Sequence, residues 1–387
     1  MKKRIAVVTS TRAEFGLLMP VVKALKRLEN ESFTVELIAT GTHLVQEYGY
    51  TIEEIKKEGL DVDIRLEIPV NSSDAMDISH NQAITLERFT TLFMNKNYNG
   101  IVILGDRYEM LSVAIAAGNT HTPIFHLCGG DTTEGAVDEW IRHSITKMSF
   151  MHFPTNVISY KRVIQLGESP ERVFNYGSTS IDNIINSANM SKVEALNSLG
   201  LNDCKYAICT YHPVTMEDKN VEDLVEEFLR VIKQFPFIEF IVTKSNADQG
   251  GATINLMLEK ASETINNMHV FSSLGVVRYL SLMKHAEFVL GNSSSGIIEA
   301  PAFRIPTINI GDRQRGRLQS ESIINCSDDA KSISEAINKA LSREFKEICS
   351  TVVSPYGDGH AAERIADKIY KVVMNCSIDL KKSFYDI

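Results

Sequence analysis

Phe288-Val-Leu-Gly291-Asn292-Ser293-Ser294-Ser295-Gly296-Ile-Ile-Glu299 reads as a strand ending at Leu290, a Gly/Asn/Ser turn, and a helix beginning near Gly296. An apolar run stopped by turn residues and resumed by helix formers is one strand–loop–helix unit. The same grammar recurs along all 387 residues. In the first half, strands are expected at 4–9, 33–40, 100–104, 123–127 and 173–176, with helices such as 16–28 and 107–117 between them. The pattern restarts with strands at 206–210, 237–243, 269–272, 288–290 and 307–310, and helices at 221–235, 252–264, 275–286 and 332–341. Apolar strands alternating with amphipathic helices predict parallel sheets covered on both faces. The polar stretch 187–203 is the expected hinge. The reading is therefore α/β, two doubly wound, Rossmann-like domains at 1–186 and 187–359, with a terminal helical segment, 360–387, beyond a Pro/Gly cluster. Ligands of such folds bind where loops follow the strand ends, here in a cleft between the two domains.

Composition narrows the function. The chain is 44% hydrophobic and 23% charged, with a formal charge of −9, as expected of a globular protein. An acidic balance argues against nucleic-acid binding, which relies on a basic footprint. No apolar run reaches the roughly 18 residues of a membrane span. Six cysteines without CxxC spacing predict free thiols and a cytoplasmic protein. No His/Cys/Asp grouping has zinc spacing and the first βα turn lacks GxGxxG, so neither metal nor cofactor is expected.

Polar clusters follow the expected strands. In the quoted turn, backbone N–H groups and the hydroxyls of Ser293, Ser294 and Ser295 face a phosphate or diphosphate; the plain alternative is a capped serine-rich loop without a ligand. Glu299 is either an ordinary first-turn acid or an acceptor for ribose hydroxyls. Arg12, just past the first strand, suits a phosphoryl oxygen, or else pairs with Glu14 on the surface. Gly311-Asp-Arg313-Gln-Arg315-Gly-Arg317 reads as an anion clamp. Asp106 in Gly105-Asp106-Arg107, and Asp131, Glu134, Asp138 and Glu139 around Gly129-Gly130, suit general acid/base work, because repulsion and desolvation raise carboxyl pKa values. His43 and His212 sit at strand ends.

These motifs, in order, resemble those of the UDP-N-acetylglucosamine 2-epimerases, in particular their hydrolysing branch. The matching residues are Thr11-Arg12-Ala13-Glu14, Gly41-Thr42-His43-Leu44 with Tyr48-Gly49, and Leu104-Gly105-Asp106-Arg107-Tyr108-Glu109. The match continues through Gly129-Gly130-Asp131, Ile141-Arg142-His143-Ser144 with Lys147, Tyr211-His212-Pro213, Gly291–Gly296, and Asn309 to Gln314. The resemblance implies a GT-B-like architecture, a terminal helix returning to the first domain, and UDP held mainly by the second. It implies catalytic roles for Asp106, Asp131, Glu134, Asp138 and His212. It implies substrate binding by Arg12, His43, Asn246, Ser293, Ser294, Ser295, Gly296, Glu299 and Arg313. Where some relatives carry a catalytic Glu two residues after the histidine matching His126, this chain has Cys128; Asp131 or Glu134 is the expected replacement.

The implied reaction converts UDP-N-acetylglucosamine and water to N-acetylmannosamine and UDP. UDP leaves by anti elimination and water adds to the resulting glycal. The same chemistry on UDP-N,N′-diacetylbacillosamine is the nearest alternative, and a GT-B glycosyltransferase the next. A homo-oligomer, dimer or tetramer, is also implied.

Overall fold

A computed structural model of the chain describes residues 2–46, 50–70, 74–132, 137–212, 221–244, 251–272, 274–315, 317–375 and 378–387. They form two compact units. One comprises Met1–Asn183 with Gly359–Ile387, the other Ile184–Asp358.

The first unit holds β1 (Lys3–Thr9), β2 (Phe33–Thr40), β3 (Ile64–Leu66), β4 (Gly100–Leu104), β5 (Ile124–Leu127) and β6 (Met151–Phe153). They form one sheet in the order β3-β2-β1-β4-β5-β6, and every pairing is parallel. β1 and β4 are buried along their length at Ile5–Val8 and Ile101–Ile103, because helices cover both faces. Ile5, Val7, Val35 and Leu37 face the helices Arg12–Arg27 and Ala361–Asn375. Ala6, Val8, Ile38, Ile101 and Ile103 face the helices Ala75–Lys96, Tyr108–Asn119 and Val137–Met148. The helix Ala361–Asn375 starts where the Asp182 carboxylate accepts the Ala361 and Ala362 N–H groups at 3.3 and 2.8 Å. That capping satisfies donors that would otherwise be orphaned at the helix start.

The second unit holds β7 (Tyr206–Thr210), β8 (Glu239–Thr243), β9 (Met268–Phe271), β10 (Phe288–Gly291), β11 (Thr307–Ile310) and β12 (Ile323–Cys326). Its sheet runs β12-β11-β10-β7-β8-β9, again wholly parallel. Counted within each unit, both sheets have the order 3-2-1-4-5-6, the doubly wound arrangement. Its topological switch point lies between the first and fourth strands, where helices leave toward opposite faces and a crevice opens. The switch points are β1/β4 and β7/β10.

Three points of the sequence reading need correction. Val173–Tyr176 is not a strand; Val173 makes only an isolated parallel bridge to His152. The edge strands β3, β6 and β12, of three or four residues, were too short to stand out from the sequence. The quoted turn also differs: its helix begins at Ser294 and runs only to Ile298. Glu299 is therefore its C-terminal cap and not a first-turn residue. Among the described residues no helix is long and apolar enough to cross a membrane.

Candidate functional site

In the first unit, the β1/β4 switch point is built from the turn Ser10–Arg12 and the loop Gly105–Arg107. Ser10 is fully buried. Its carbonyl accepts Thr42 Oγ1 at 3.1 Å and the His43 N–H at 3.4 Å, which fastens the end of β1 to the loop after β2. Gly41 there has φ +57°, and a Cβ would stand 2.9 Å from that carbonyl. His43 is fully buried, with Nε2 3.1 Å from Thr9 Oγ1 and Nδ1 2.7 Å from Thr51 Oγ1. Burial lowers its pKa to about 4, so the ring is neutral and both nitrogens are engaged by hydroxyls. Arg12 is exposed and pairs with Glu54 at 3.0 Å. The sequence alternative that paired it with Glu14 fails, because Glu14 is buried on Ser10.

The carboxylates past β4 and β5 are organised by Arg142. This guanidinium is buried, with 5% of its side chain exposed. It donates to the Asp106 carboxylate, to the Asp131 carbonyl at 2.8 Å and to Glu139 Oε2 at 3.3 Å. A buried cation is tolerated only when its donors are paired. Arg142 therefore fixes Asp106 beside the Gly129-Gly130-Asp131 turn. The turn is shaped by Gly130, at φ +83°, where a Cβ would lie 2.3 Å from the Ser159 carbonyl. The Gly130 carbonyl accepts a bond from Arg162. Asp131 Oδ1 accepts Thr155 Oγ1 at 3.0 Å and also Ser159 Oγ. Glu139 Oε1 lies 3.2 Å from His143 Nε2, while Asp138 is exposed on the first turn of its helix. Glu134 lies outside the described residues. Cys128 sits at φ +62°. Desolvation pushes its thiol pKa up, so at neutral pH it is no proton carrier. His126 is buried, its pKa lowered to about 3 by burial, with Nε2 3.1 Å from the Gly105 carbonyl.

In the second unit, the β7/β10 switch point is clasped by Asn292, which is 1% exposed. Its Oδ1 accepts the His212 N–H at 2.7 Å and its Nδ2 donates to the His212 carbonyl at 2.8 Å. The Asn292 carbonyl in turn accepts Arg313 Nη1 at 3.1 Å and Gln314 Nε2 at 2.8 Å. Residue 291 must be glycine: φ is +138° and a Cβ would fall 2.0 Å from the Thr210 carbonyl. Beyond the clasp opens a pocket of about 400 Å³, whose lining includes Thr210, Lys244, Tyr279, Ser293, Ser295 and Glu299. Ser293 Oγ accepts Ser295 Oγ at 3.2 Å, and Tyr279 Oη lies 2.7 Å from Ser295 Oγ. Burial raises the Glu299 pKa to about 7. Ser294 is half-buried on the same turn. Gly296 is buried against Thr307, whose Cγ2 would lie 2.9 Å from an added Cβ, so here the glycine lets helix and sheet approach. Asn246 is outside the described residues.

The three arginines of 313–317 do not converge as one clamp. Arg313 is spent on Asn292. Arg315 and Arg317 line a separate open depression of about 630 Å³ together with Asp312 and Asp328, and Arg315 pairs with Asp312 at 3.6 Å. Acids of neighbouring turns offset the positive field there.

A family model described as UDP-N-acetylglucosamine 2-epimerase matches residues 26–370. The chain belongs to that family. It is an enzyme of the UDP-sugar 2-epimerase type. A relative from Campylobacter jejuni, named GDP/UDP-N,N′-diacetylbacillosamine 2-epimerase (hydrolyzing), is 38% identical over the whole of both chains. A UDP-N,N′-diacetylbacillosamine 2-epimerase (hydrolyzing) from Legionella pneumophila is 32% identical, also over the whole of both. Among solved structures, UDP-GlcNAc 2-epimerase from Neisseria meningitidis bound to UDP-GlcNAc aligns with a TM-score of 0.79 at 17% identity. It covers 95% of this chain and 100% of that one. That likeness shows the fold, the GT-B-like pairing of two doubly wound sheets.

Against this family background, the residue that sequence reasoning undervalued is Arg142. It was visible only as part of the motif Ile141-Arg142-His143-Ser144. Its position among Ile141, Ile145 and Thr146, all buried, was the available signal: an arginine on the buried stripe of an amphipathic helix needs acceptors.

Proposed function

We propose that this chain is a hydrolysing 2-epimerase acting on UDP-N,N′-diacetylbacillosamine, releasing UDP and 2,4-diacetamido-2,4,6-trideoxymannose. The observation that carries the reading is the Arg142-centred cluster that holds Asp106 beside the Asp131 turn, in a chain two of whose full-length relatives bear hydrolysing names. The diacetylbacillosamine names of the Campylobacter and Legionella relatives support the sugar. UDP-N-acetylglucosamine, giving N-acetylmannosamine, is the second reading, supported by the family's own description.

In this mechanism a carboxylate of the first unit removes the proton at C2, and the C1–O bond to the diphosphate breaks with its electron pair. A C1=C2 glycal results. Water then adds its oxygen to C1, giving up a proton to a carboxylate, and a proton returns to C2 on the opposite face. Two carboxyl groups are needed, and Asp106 and Asp131 are assigned to them, with Glu134 and Asp138 as further acids of the same segment. The C2 proton is weakly acidic, so the departing UDP must be stabilised electrostatically. Ser293 and Ser295 and the serine-turn N–H groups take the diphosphate, Glu299 the ribose, and Arg12 and His212 the phosphate end of the sugar. Ser294, Gly296, Arg313 and Asn246 complete the nucleotide-binding set. His43 acts through the β1 end it holds. The protein is proposed to work in the cytoplasm as a homo-oligomer.

The test is incubation in D₂O with each UDP-sugar, followed by proton NMR. Release of UDP with deuterium at C2 of a manno-configured product supports the mechanism, and the faster substrate identifies the sugar. UDP release without isotope at C2 would replace the elimination with simple hydrolysis or transfer.

A further inference from the structure

We infer that Glu14 and Glu109 share a single proton through the Ser10 hydroxyl across the β1/β4 switch point, and that this buried chain positions Arg107 for the epimerase reaction. Ser10 Oγ lies 2.9 Å from Glu14 Oε2 and 2.8 Å from Glu109 Oε1. A hydroxyl has one hydrogen, so it can donate to only one of two carboxylates. Both distances are hydrogen-bond distances, so the second oxygen pair needs a proton of its own. Glu109 Oε1 also accepts Arg107 Nε at 2.6 Å, which marks Glu109 as the ionised member. The donor order is then fixed: Glu14 O–H to Ser10, Ser10 O–H to Glu109, and Arg107 N–H to Glu109.

Burial supports this assignment. Glu14 is 5% and Glu109 3% exposed, and Glu14 Oε1 and Glu109 Oε2 are buried without hydrogen-bond partners. Two ionised carboxylates there would be strongly disfavoured, as in any buried acid pair. Desolvation and then the charge of Glu109 raise the Glu14 pKa to about 8, in accord with the geometry.

Among the described residues, the groups around Glu14 leave the proton no other seat. From β4 and its helix, Glu109 and Arg107 are the charged groups facing Glu14. From the loop after β2, His43 is neutral and held by Thr9 and Thr51. On Glu14's own helix Arg12 turns outward to Glu54. From the terminal helix, Glu363 pairs with Arg27 at the far end of the same helix. Asn183, packed against the Gly16 carbonyl, is uncharged, and Asp182 is directed to the terminal helix.

Arg107 is half-exposed beyond this buried network, immediately after Asp106. With one proton in the pair, Glu109 carries a single charge toward Arg107. Losing that proton adds a second negative charge and breaks the Glu14-to-Ser10 bond, loosening the turn that carries Arg12. Glu14 and Ser10 are thus positioning residues, and their part in turnover rests on the epimerase reading above.

The test combines infrared spectroscopy of the whole protein with pH profiles. At pH 6.5 the spectrum of the wild type minus that of Glu14→Gln is expected to show the C=O stretch of a buried protonated carboxyl, the band of Glu299 being common to both proteins and cancelling, and this difference band is expected to disappear as pH rises through about 8. Absence of that difference band overturns the shared proton irrespective of any activity. For turnover, kcat at pH 9 relative to pH 7 is expected to fall about tenfold in the wild type and to stay flat in Glu14→Gln, whose amide supplies the same donor without titrating. An identical alkaline fall in both proteins overturns the positioning role. If neither UDP-sugar is turned over, the functional reading fails while the infrared result still decides the pair.

Discussion

Replacing Glu14 by Gln should change how stability depends on pH, by an amount the structure sets. The folded-state pKa of Glu14 is about 8 against an ordinary 4.5, so the native protein holds this proton more tightly than the unfolded chain. Below pH 4.5 both states are protonated and nothing is lost. Between 4.5 and 8 the unfolded chain has released the proton while the native one retains it, and stability falls as pH rises. Over about 3.5 units, at about 1.4 kcal/mol each, the loss amounts to about 5 kcal/mol, complete by pH 8. Glutamine carries no proton to lose. Urea unfolding of the wild type and Glu14→Gln at pH 5, 6, 7 and 8, followed by a probe in the first unit, isolates the residue, since other groups cancel in the difference. The variant is expected to gain on the wild type by about 1.4 kcal/mol per pH unit. Parallel curves, or a variant that loses ground to the wild type as pH rises, would refute the protonated Glu14.

Three further outcomes are expected. Asp106→Asn should keep UDP binding by calorimetry while turnover falls by at least about 100-fold, the usual scale of a lost acid/base group; a fall of less than tenfold removes Asp106 as a proton carrier. Gly291→Ala should destabilise the second unit by about 3 kcal/mol or more, because its Cβ would overlap the Thr210 carbonyl at a backbone angle foreign to alanine; an unchanged melting temperature would contradict the β7/β10 geometry. For Glu299, with a pKa near 7, ionisation on raising the pH favours hydroxyl donors. UDP affinity should therefore rise about tenfold from pH 6 to 8, and Glu299→Gln should flatten the trend; equal slopes would sever Glu299 from the ribose.

The strand–turn–helix rhythm is local, so it was legible in the residues: apolar runs such as Ile101–Leu104 and Phe288–Leu290 bury on both faces in any parallel sheet, and their ends had to carry the polar loops. Asp106, Asp131 and the serine turn were found that way. Short edge strands such as Met151–Phe153 were not, because three residues give no periodicity to read. Glycines 130 and 291 were recognisable as turn formers, but which carbonyl each one clears is a matter of atoms far away in sequence.

The amino-acid order alone determined two doubly wound sheets, the family, and the loops that bear chemistry, since each follows from hydrophobic period and from motif. Only tertiary structure decided which charges share a partner. Arg142 draws Asp106 and the Asp131 turn together across 36 residues, and Ser10 joins Glu14 to Glu109 across 95 positions of chain between the two acids. The protonation of a buried carboxyl depends on the distance to its neighbours and on excluded water, neither of which spacing along a chain specifies.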